Sequence, residues 1–540
     1  MVTGASWPSG SRLESAQLGG NAYLVSSERE FVRYNFTNLI GFATLAKPTN
    51  ALATNMSGAT GSTTWSWRVT AVGKSGGETI ASTPVSLASL PQLLTQTVMR
   101  INWTAVSAAS GDLSGYNVYR GSLGNETWVG GVNSDTTRFD DSGAIPNDPF
   151  RTAPVADTTG GPKAKYIMRF QDRLILAGIS GEPTKVLISG RYPFQERFDW
   201  YAGGGYVYIE PDSGQNVTGL GIHQEKLVVF KENSVWQVNL NQITFGNYII
   251  LDPQYKLLTA SQGCSSFRSI VPVENDVMFA NRKGIYILRY EPQLLTIINA
   301  SEISAKIRPF FEALSDTDLT TCAGVYFDKK YLLSFPSSKQ IIVFDRERLS
   351  FTGPWTLPYG ITHWSKFVDS AGTERLIGAD SSDNFVTEFS KTLSSDKGIA
   401  IKTLFKTRKE DFGDWTLGKT INSLYMNFRG ITGTVSVNIY IEDREGNLIT
   451  AKSFTVTGSG SAGTSGFGTD NIGLIPIGLS GNAVEASTSE QPKKIFIYKP
   501  SRLFQVEIRT NGITDNYELL GILAAAIKTS RGNAPSSWSV

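Results

Sequence analysis

The sequence predicts an all-β chain: a β-propeller interrupted by an inserted β-sandwich and followed by a second, C-terminal β-sandwich. Three observations carry this. Short runs of alternating or β-branched residues, punctuated by Gly, Asn, Asp and Ser, fill most of the 540 residues. A strand–turn–strand unit recurs between residues 163 and 392 at a spacing of about 40 to 55 residues, the period of a propeller blade. Helical periodicity is clear only near 301–314, where Ile303, Ile307, Phe310, Phe311 and Leu314 share a face and Ser301 is placed to cap the free amides.

The elements follow in chain order. Asn21 to Asn35 reads as strand, turn, strand, so residues 1–45 are expected to supply a blade fragment. Strands from both chain ends would then share one blade and close the ring. That makes residues 46–150 an insertion. Within it, Thr64-Trp-Ser-Trp-Arg-Val-Thr-Ala-Val alternates, which puts Trp65, Trp67, Val69 and Ala71 on one face. Gly76-Gly-Glu-Thr reads as a turn, and Ile101-Asn-Trp-Thr and Ser114-Gly-Tyr-Asn-Val-Tyr-Arg-Gly as strands. These residues resemble a fibronectin type III sandwich, with its tryptophan strand followed by a Gly-Tyr-x-Val-Tyr-Arg strand. The resemblance implies a spacer and contact surface without chemistry of its own.

Residues 151–397 carry the repeat itself. Tyr166-Ile-Met-Arg-Phe-Gln-Asp-Arg-Leu-Ile-Leu-Ala-Gly is its simplest copy. Further copies start at Gly221, Val271 and Ala323, and a weaker one spans His363 to Phe389. A small meander that is apolar on both faces cannot bury them alone. Stacking such units about an axis buries both and leaves only short edges; a shallow up-and-down barrel could use the same strands, but the three-strand grouping favours blades. From 398 to 540 the strands lengthen: Leu424–Phe428, Val435–Ile441, Ser453–Val456, Lys494–Tyr498 and Leu503–Ile508 read as the second sandwich. Its Gly/Ser-rich stretch 457–492 lacks periodicity, and a loop of that length is usually functional or mobile. The functional version is a contact with a neighbouring subunit.

Composition excludes several function classes. Lys plus Arg total 50 against 48 for Asp plus Glu, so a net charge of +2 gives no sign of a basic nucleic-acid reader. His223 and His363 are the only histidines and share no motif, which argues against a His-rich zinc site or a two-His iron triad. Cys264 and Cys322 are too few for a disulfide framework or a four-Cys cluster, and read as core thiols. The N-terminus lacks the basic start and apolar core of a signal peptide. The longest apolar stretch, Leu519 to Ile527, is far short of the roughly 20 residues that cross a bilayer, so no membrane insertion is expected.

Motif matches are weighed by their context. Gly413-Asp-Trp-Thr-Leu-Gly-Lys-Thr420 fits the phosphate-cradling pattern, but such a cradle needs a buried strand before it and a helix after it. Charged residues precede this one, and no helical period follows Lys419. Gly73-Lys-Ser-Gly-Gly77 fits a nucleophile-elbow pattern in a polar turn with no helix behind it. Glu210, Asp252, Asp345 and Asp380 fall near strand ends, where a propeller glycosidase would hold its paired carboxylates; turn acids are the plainer reading. A sialidase-type box appears once, at Ser394-Ser-Asp-Lys-Gly398, instead of recurring in each blade. Asp443-Arg-Glu-Gly-Asn447 reads better as a hairpin turn than as a calcium loop. No catalytic, cofactor-binding or metal-binding residue is assigned.

The order of the parts adds a resemblance. A propeller fragment, a fibronectin-like insertion, Lys226-Leu-Val-Val-Phe-Lys-Glu-Asn-Ser-Val-Trp-Gln-Val, and Thr407-Arg-Lys-Glu-Asp-Phe-Gly-Asp opening the last sandwich are similar to short-tailed phage nozzles of the tail tubular protein B type. That resemblance implies a non-enzymatic virion component without cofactors. It would form a homo-hexameric ring that extends the tail tube, contact the tail adaptor and a fibre or tailspike, and pass double-stranded DNA without sequence-specific binding. A near-neutral chain suits a tube that must not grip phosphates. The competing expectation is a carbohydrate-binding or glycoside-hydrolysing propeller acting at the bacterial surface.

Overall fold

The computed structural model describes residues 7, 11–42, 44–95, 97–107, 112–143, 151–245, 248–291, 296–297, 300–382, 385–390, 395–411, 419–443, 445–459, 484–485, 491–512 and 516–528. They fall into two compact units. One comprises Met1–Phe367 with Ile377–Thr387, the other Val368–Leu376 with Glu388–Val540.

The first unit contains the propeller. Five antiparallel meanders of four strands follow one another in it among the described residues, and a sixth, of three strands, begins in it at Ile361. Their innermost strands are Glu14–Leu18, Ala164–Phe170, Val217–His223, Val271–Val273, Ala323–Phe327 and Ile361–Val368, in blades 1 to 6. The second strand of each blade is apolar at consecutive positions because both of its faces are buried. In blade 2, Leu174 and Leu176 pack with Tyr23 and Phe31 of blade 1, whereas Ile175 and Ala177 pack with Leu227 and Val229 of blade 3. Val228 and Phe230 of blade 3 meet Val277 and Phe279 of blade 4, and Met278 and Ala280 of blade 4 meet Leu333 and Phe335 of blade 5. This odd–even division of each strand between two neighbours is what makes a stack of blades stable where one meander is not.

The polar turn of the repeat has a conformational reason. Gln171 and Asp172, Gln224 and Glu225, and Asp328 and Lys329 all have positive φ, between 47° and 59°. Two successive left-handed residues make the tight hairpin whose twist matches the strands. Blade 1 uses Gly19 and Gly20 at the same place.

Blade 1 departs from expectation. The N-terminal segment supplies all four of its strands, Glu14–Leu18, Asn21–Ser26, Arg29–Tyr34 and Leu39–Gly41, so it is a whole blade and not a fragment completed from the far end. The first and fourth strands were illegible because Glu14–Leu18 buries only its two end residues, one of them a glutamate, and Leu39–Gly41 is three residues long. The insertion therefore lies between blades 1 and 2. Its seven strands run from Thr49 to Asp141 in sheets of four and three. Trp67, Val69 and Ala71 are fully buried against Ile101, Tyr116 and Val118, and Trp65 is partly buried on the same core.

The helix expected near 301–314 is shorter and later. Ser301–Glu302 pairs with Tyr286 and Ile287 as the outer strand of blade 4, so Ser301 caps nothing. A 3-10 turn, Ala305–Ile307, leads into a helix at Arg308–Glu312. A second helix, Asp316–Thr321, is capped by Ser315, whose hydroxyl accepts from Asp318 N at 3.1 Å. The apolar face itself is real: Ile303, Ile307, Phe310, Phe311 and Leu314 pack on the core shared by blades 4 and 5.

In the second unit, Leu424–Phe428 and Val435–Ile441 belong to one strand, Lys419–Glu442. Its first half pairs with Gln491–Ser501 and Asn516–Lys528, its second half with Leu448–Ser459 and Phe504–Thr510. The strand thus passes from one sheet of the sandwich to the other, and Leu424, Met426, Val435, Val437 and Ile439 share a single core. The apolar run Leu519–Ile527 lies in the edge strand Asn516–Lys528. Most of 457–492 lies outside the described residues.

Candidate functional site at the propeller axis

A propeller concentrates its inner strands on one axis, where such folds offer a site. Here the chain between blades 3 and 4, Cys264 to Ile270, runs into that space and touches every blade. Cys264 N donates to Lys231 O of blade 3 at 3.0 Å, and Ser265 N to Ala280 O of blade 4 at 3.0 Å. Ser266 Oγ donates to Cys322 O at 2.7 Å, and Tyr331 of blade 5 donates to Ser269 O at 2.9 Å. The Phe267 ring lies 5.1 Å from that of Tyr166 in blade 2. Arg268 Nε donates to Glu14 Oε1 of blade 1 at 2.8 Å, while its Nη1 donates to Thr362 O of blade 6 at 3.0 Å. Gly219 in the inner strand of blade 3 makes room for this plug, since a Cβ there would stand 2.3 Å from the Ile270 side chain.

Beside the plug lies a cavity of about 390 Å³ whose wall takes residues from all six inner strands, among them Glu14, Met168, Ile222, Pro272, Gly324 and His363. Its lining is mostly apolar. Glu14 is its one carboxylate among the described residues, and both Arg12 (3.0 Å) and Arg268 (2.8 Å) donate to the same Glu14 oxygen. Burial, followed by the positive charge of Arg268, lowers the His363 pKa below its ordinary value. The axis therefore holds a locked acceptor and an imidazole biased towards neutrality. Acid–base cleavage of a glycoside needs two carboxylates within about 10 Å, and one is present here.

A second, larger concavity of about 790 Å³ separates the insertion from the rim of blade 2. The turn Gly73–Gly77 docks the insertion there. Gly76 has φ +82°, and a Cβ on it would stand 2.2 Å from Asp199 Oδ2. Arg197 grips Asp199 through two bonds of 2.9 and 3.1 Å. On the insertion side, Glu78 accepts from Tyr119 at 2.6 Å and from Thr70 at 2.7 Å, and pairs with Arg151. On the blade side, Lys185 Nζ donates to Glu182 at 2.8 Å and lies 4.6 Å from the centre of the Tyr206 ring.

The residues singled out in the sequence are scattered. Asp345 accepts from the amides of Glu347 and Arg348, and Asp380 from Ser382, so both close turns. Glu210 precedes a one-turn helix, and Asp252 sits in an outer strand; neither lines the axial cavity. His223 is buried at the end of its strand, and desolvation lowers its pKa. Cys264 and Cys322 are unpaired with each other and buried; burial pushes the Cys264 thiol up to about 11 and that of Cys322 higher still. Gly413–Gly418 lies outside the described residues, but Lys419 and Thr420 open a strand where a phosphate cradle requires a helix. Ser394 also lies outside the described residues. Asp396 belongs to a small hairpin turning at Lys397 and Gly398. Asp443 accepts from the amides of Glu445 and Asn447, with Gly446 at φ +87°, which is a hairpin turn.

Arg268, Glu14 and the plug were not singled out from the sequence. The available signal was negative: Gln262-Gly-Cys-Ser-Ser-Phe-Arg-Ser shows no strand alternation, yet carries an aromatic residue and an arginine.

No family model matches this sequence, and no curated protein matches it. Among solved structures, it is similar to BBS1N in a complex with ARL6DN soaked with mercury, at 10% identity and TM-score 0.27, covering 70% of this chain and 92% of that one. It is likewise similar to dihydro-heme d1 dehydrogenase NirN in complex with DHE, at 8% identity and TM-score 0.27, covering 82% and 75%. A third is the S. cerevisiae core factor, at 12% identity and TM-score 0.25, covering 63% and 54%. Likenesses this distant carry no functional argument, and the architecture stands on its own sheets.

Proposed function

We propose that the chain is a structural component of a short-tailed phage tail, of the nozzle type, and acts without catalysis. The observation that supports this best is the plugged axis. Cys264–Ile270 ties all six blades together from within, which makes the propeller a braced building block and leaves its axial cavity at the size of a small-molecule pocket. DNA would then pass between copies arranged in a ring, not through any one propeller. In this reading the partners are other copies of the chain in a homo-hexamer, the tail adaptor, a fibre or tailspike, and duplex DNA held without sequence preference. The location is the virion. Among the described residues, no helix is long and apolar enough to cross a membrane.

The reading is tested by assembly. Purified chain, alone or with adaptor, is expected to form six-fold rings by electron microscopy and native mass measurement. The competing glycosidase reading is less well supported, because the axial lining offers a single carboxylate already shared by two arginines. Hydrolysis of any surface glycan that depends on Glu14 would favour it instead.

A further inference from the structure

The cleft between the insertion and blade 2 has no task in a conduit, and its chemistry is specific. Its charges cancel in pairs: Arg197 with Asp199, Lys185 with Glu182, and Arg151 with Glu78. An ionic ligand meets no net field here, and a phosphate or nucleic acid gains little from counterion release. Tyr206, in this lining, is 55% exposed. It is nevertheless held in place, with the Lys185 ammonium 4.6 Å from its ring centre and Tyr208 edge-on at 5.5 Å. Asn133 on the insertion side of the lining adds an amide that both donates and accepts. A cleft of about 790 Å³ falls in the range of about 300–1,000 Å³ that encloses a small ligand, and it lies at a domain junction, where such sites concentrate.

We propose that this cleft binds a short neutral oligosaccharide. A sugar presents a C–H face to a fixed aromatic ring and hydroxyls to amides and paired charges, and it carries no charge to be repelled or attracted. The glycan stacks on Tyr206 and is hydrogen-bonded from the opposite wall by Asn133. The proposal does not depend on the conduit reading: loss of ring assembly would leave it standing, and loss of sugar binding would leave the ring standing.

The test titrates the full chain with maltohexaose, cellohexaose, chitohexaose and mannohexaose, using calorimetry and tryptophan fluorescence, with a heparin hexasaccharide as the charged comparison. Saturable binding of at least one neutral sugar is expected, unchanged between about 0.05 and 0.5 M salt. Tyr206→Ala and Asn133→Ala should each weaken it about tenfold or more, a loss near 1.4 kcal/mol, with unaltered melting, and Tyr206→Phe should retain it. Failure of all four neutral sugars to bind, binding indifferent to both alanine variants, or tighter salt-sensitive binding of the heparin fragment would each overturn the proposal.

Discussion

Arg268 and Glu14, separated by 254 positions in sequence, meet at 2.8 Å on the propeller axis. The same guanidinium donates to Leu13 O and Thr362 O, so one side chain from the linker between blades 3 and 4 holds the first blade and the last. A ring built from one end of the chain to the other needs a tie where its ends meet. Propellers that interleave strands from both termini make that tie with a sheet; here blade 1 is complete in itself, and a buried ion pair serves.

Replacing Arg268 with Met should therefore loosen the ring. The change removes one of the two arginines on Glu14 together with the donors to Leu13 O and Thr362 O, while Arg12 still neutralises the carboxylate at 3.0 Å, so the cost is about 1–3 kcal/mol and below that of a stranded buried charge. Urea unfolding should show the propeller transition moved to lower denaturant by that amount. A change below about 0.5 kcal/mol would mean that Arg268 is not the tie.

Lys231 tests a different joint. Its ammonium is buried and donates to Ile209 O and Glu210 O, each at 2.9 Å, and to Ser213 Oγ at 2.6 Å, latching blade 3 to the end of blade 2. Lys231→Met keeps the length and removes the donors, leaving these acceptors short of partners, for a loss of about 2 kcal/mol. Thermal unfolding of the variant measures it.

The insertion should be acid-sensitive through Glu78. Burial alone would raise that carboxyl, but the Arg151 charge and bonds from Tyr119, Thr70 and Arg151 outweigh it and hold the pKa below its usual 4.5. A carboxylate depressed in the folded state contributes stability that is present above the unfolded value and lost as the pH falls through the folded one. Melting temperature should thus fall as the pH drops below about 4.5. Glu78→Gln should begin lower at neutral pH and show a shallower fall.

The two thiols should be inert. With Cys264 near 11 and Cys322 higher, the thiolate is scarce at pH 8 and both sulfurs lie inside the protein. An aromatic disulfide reagent should label neither in the native state and both in denaturant. Rapid native labelling would show that the plug opens.

Much of this architecture was legible because blade strands obey a rule that sequence displays: consecutive apolar residues such as Leu174 to Ala177 or Met278 to Ala280 are needed when both faces are buried. Four features escaped for physical reasons. Arg429 to Thr434 resembles a turn, yet the strand continues through it because its partners change there from one sheet to the other. Ser301 resembles a helix cap, but the open edge of blade 4 takes its backbone. The plug has no periodicity because its contacts radiate to all six blades instead of one surface. The cleft was invisible since Tyr206 of blade 2 and Asn133 of the insertion come to one lining only in the folded chain.

Cryo-electron microscopy of the purified chain, with native mass measurement, decides whether copies of this braced propeller assemble into a conduit. Closed six-fold rings with a bore wide enough for duplex DNA are expected. A monomer that persists at every concentration and in the presence of the tail adaptor would contradict that assembly.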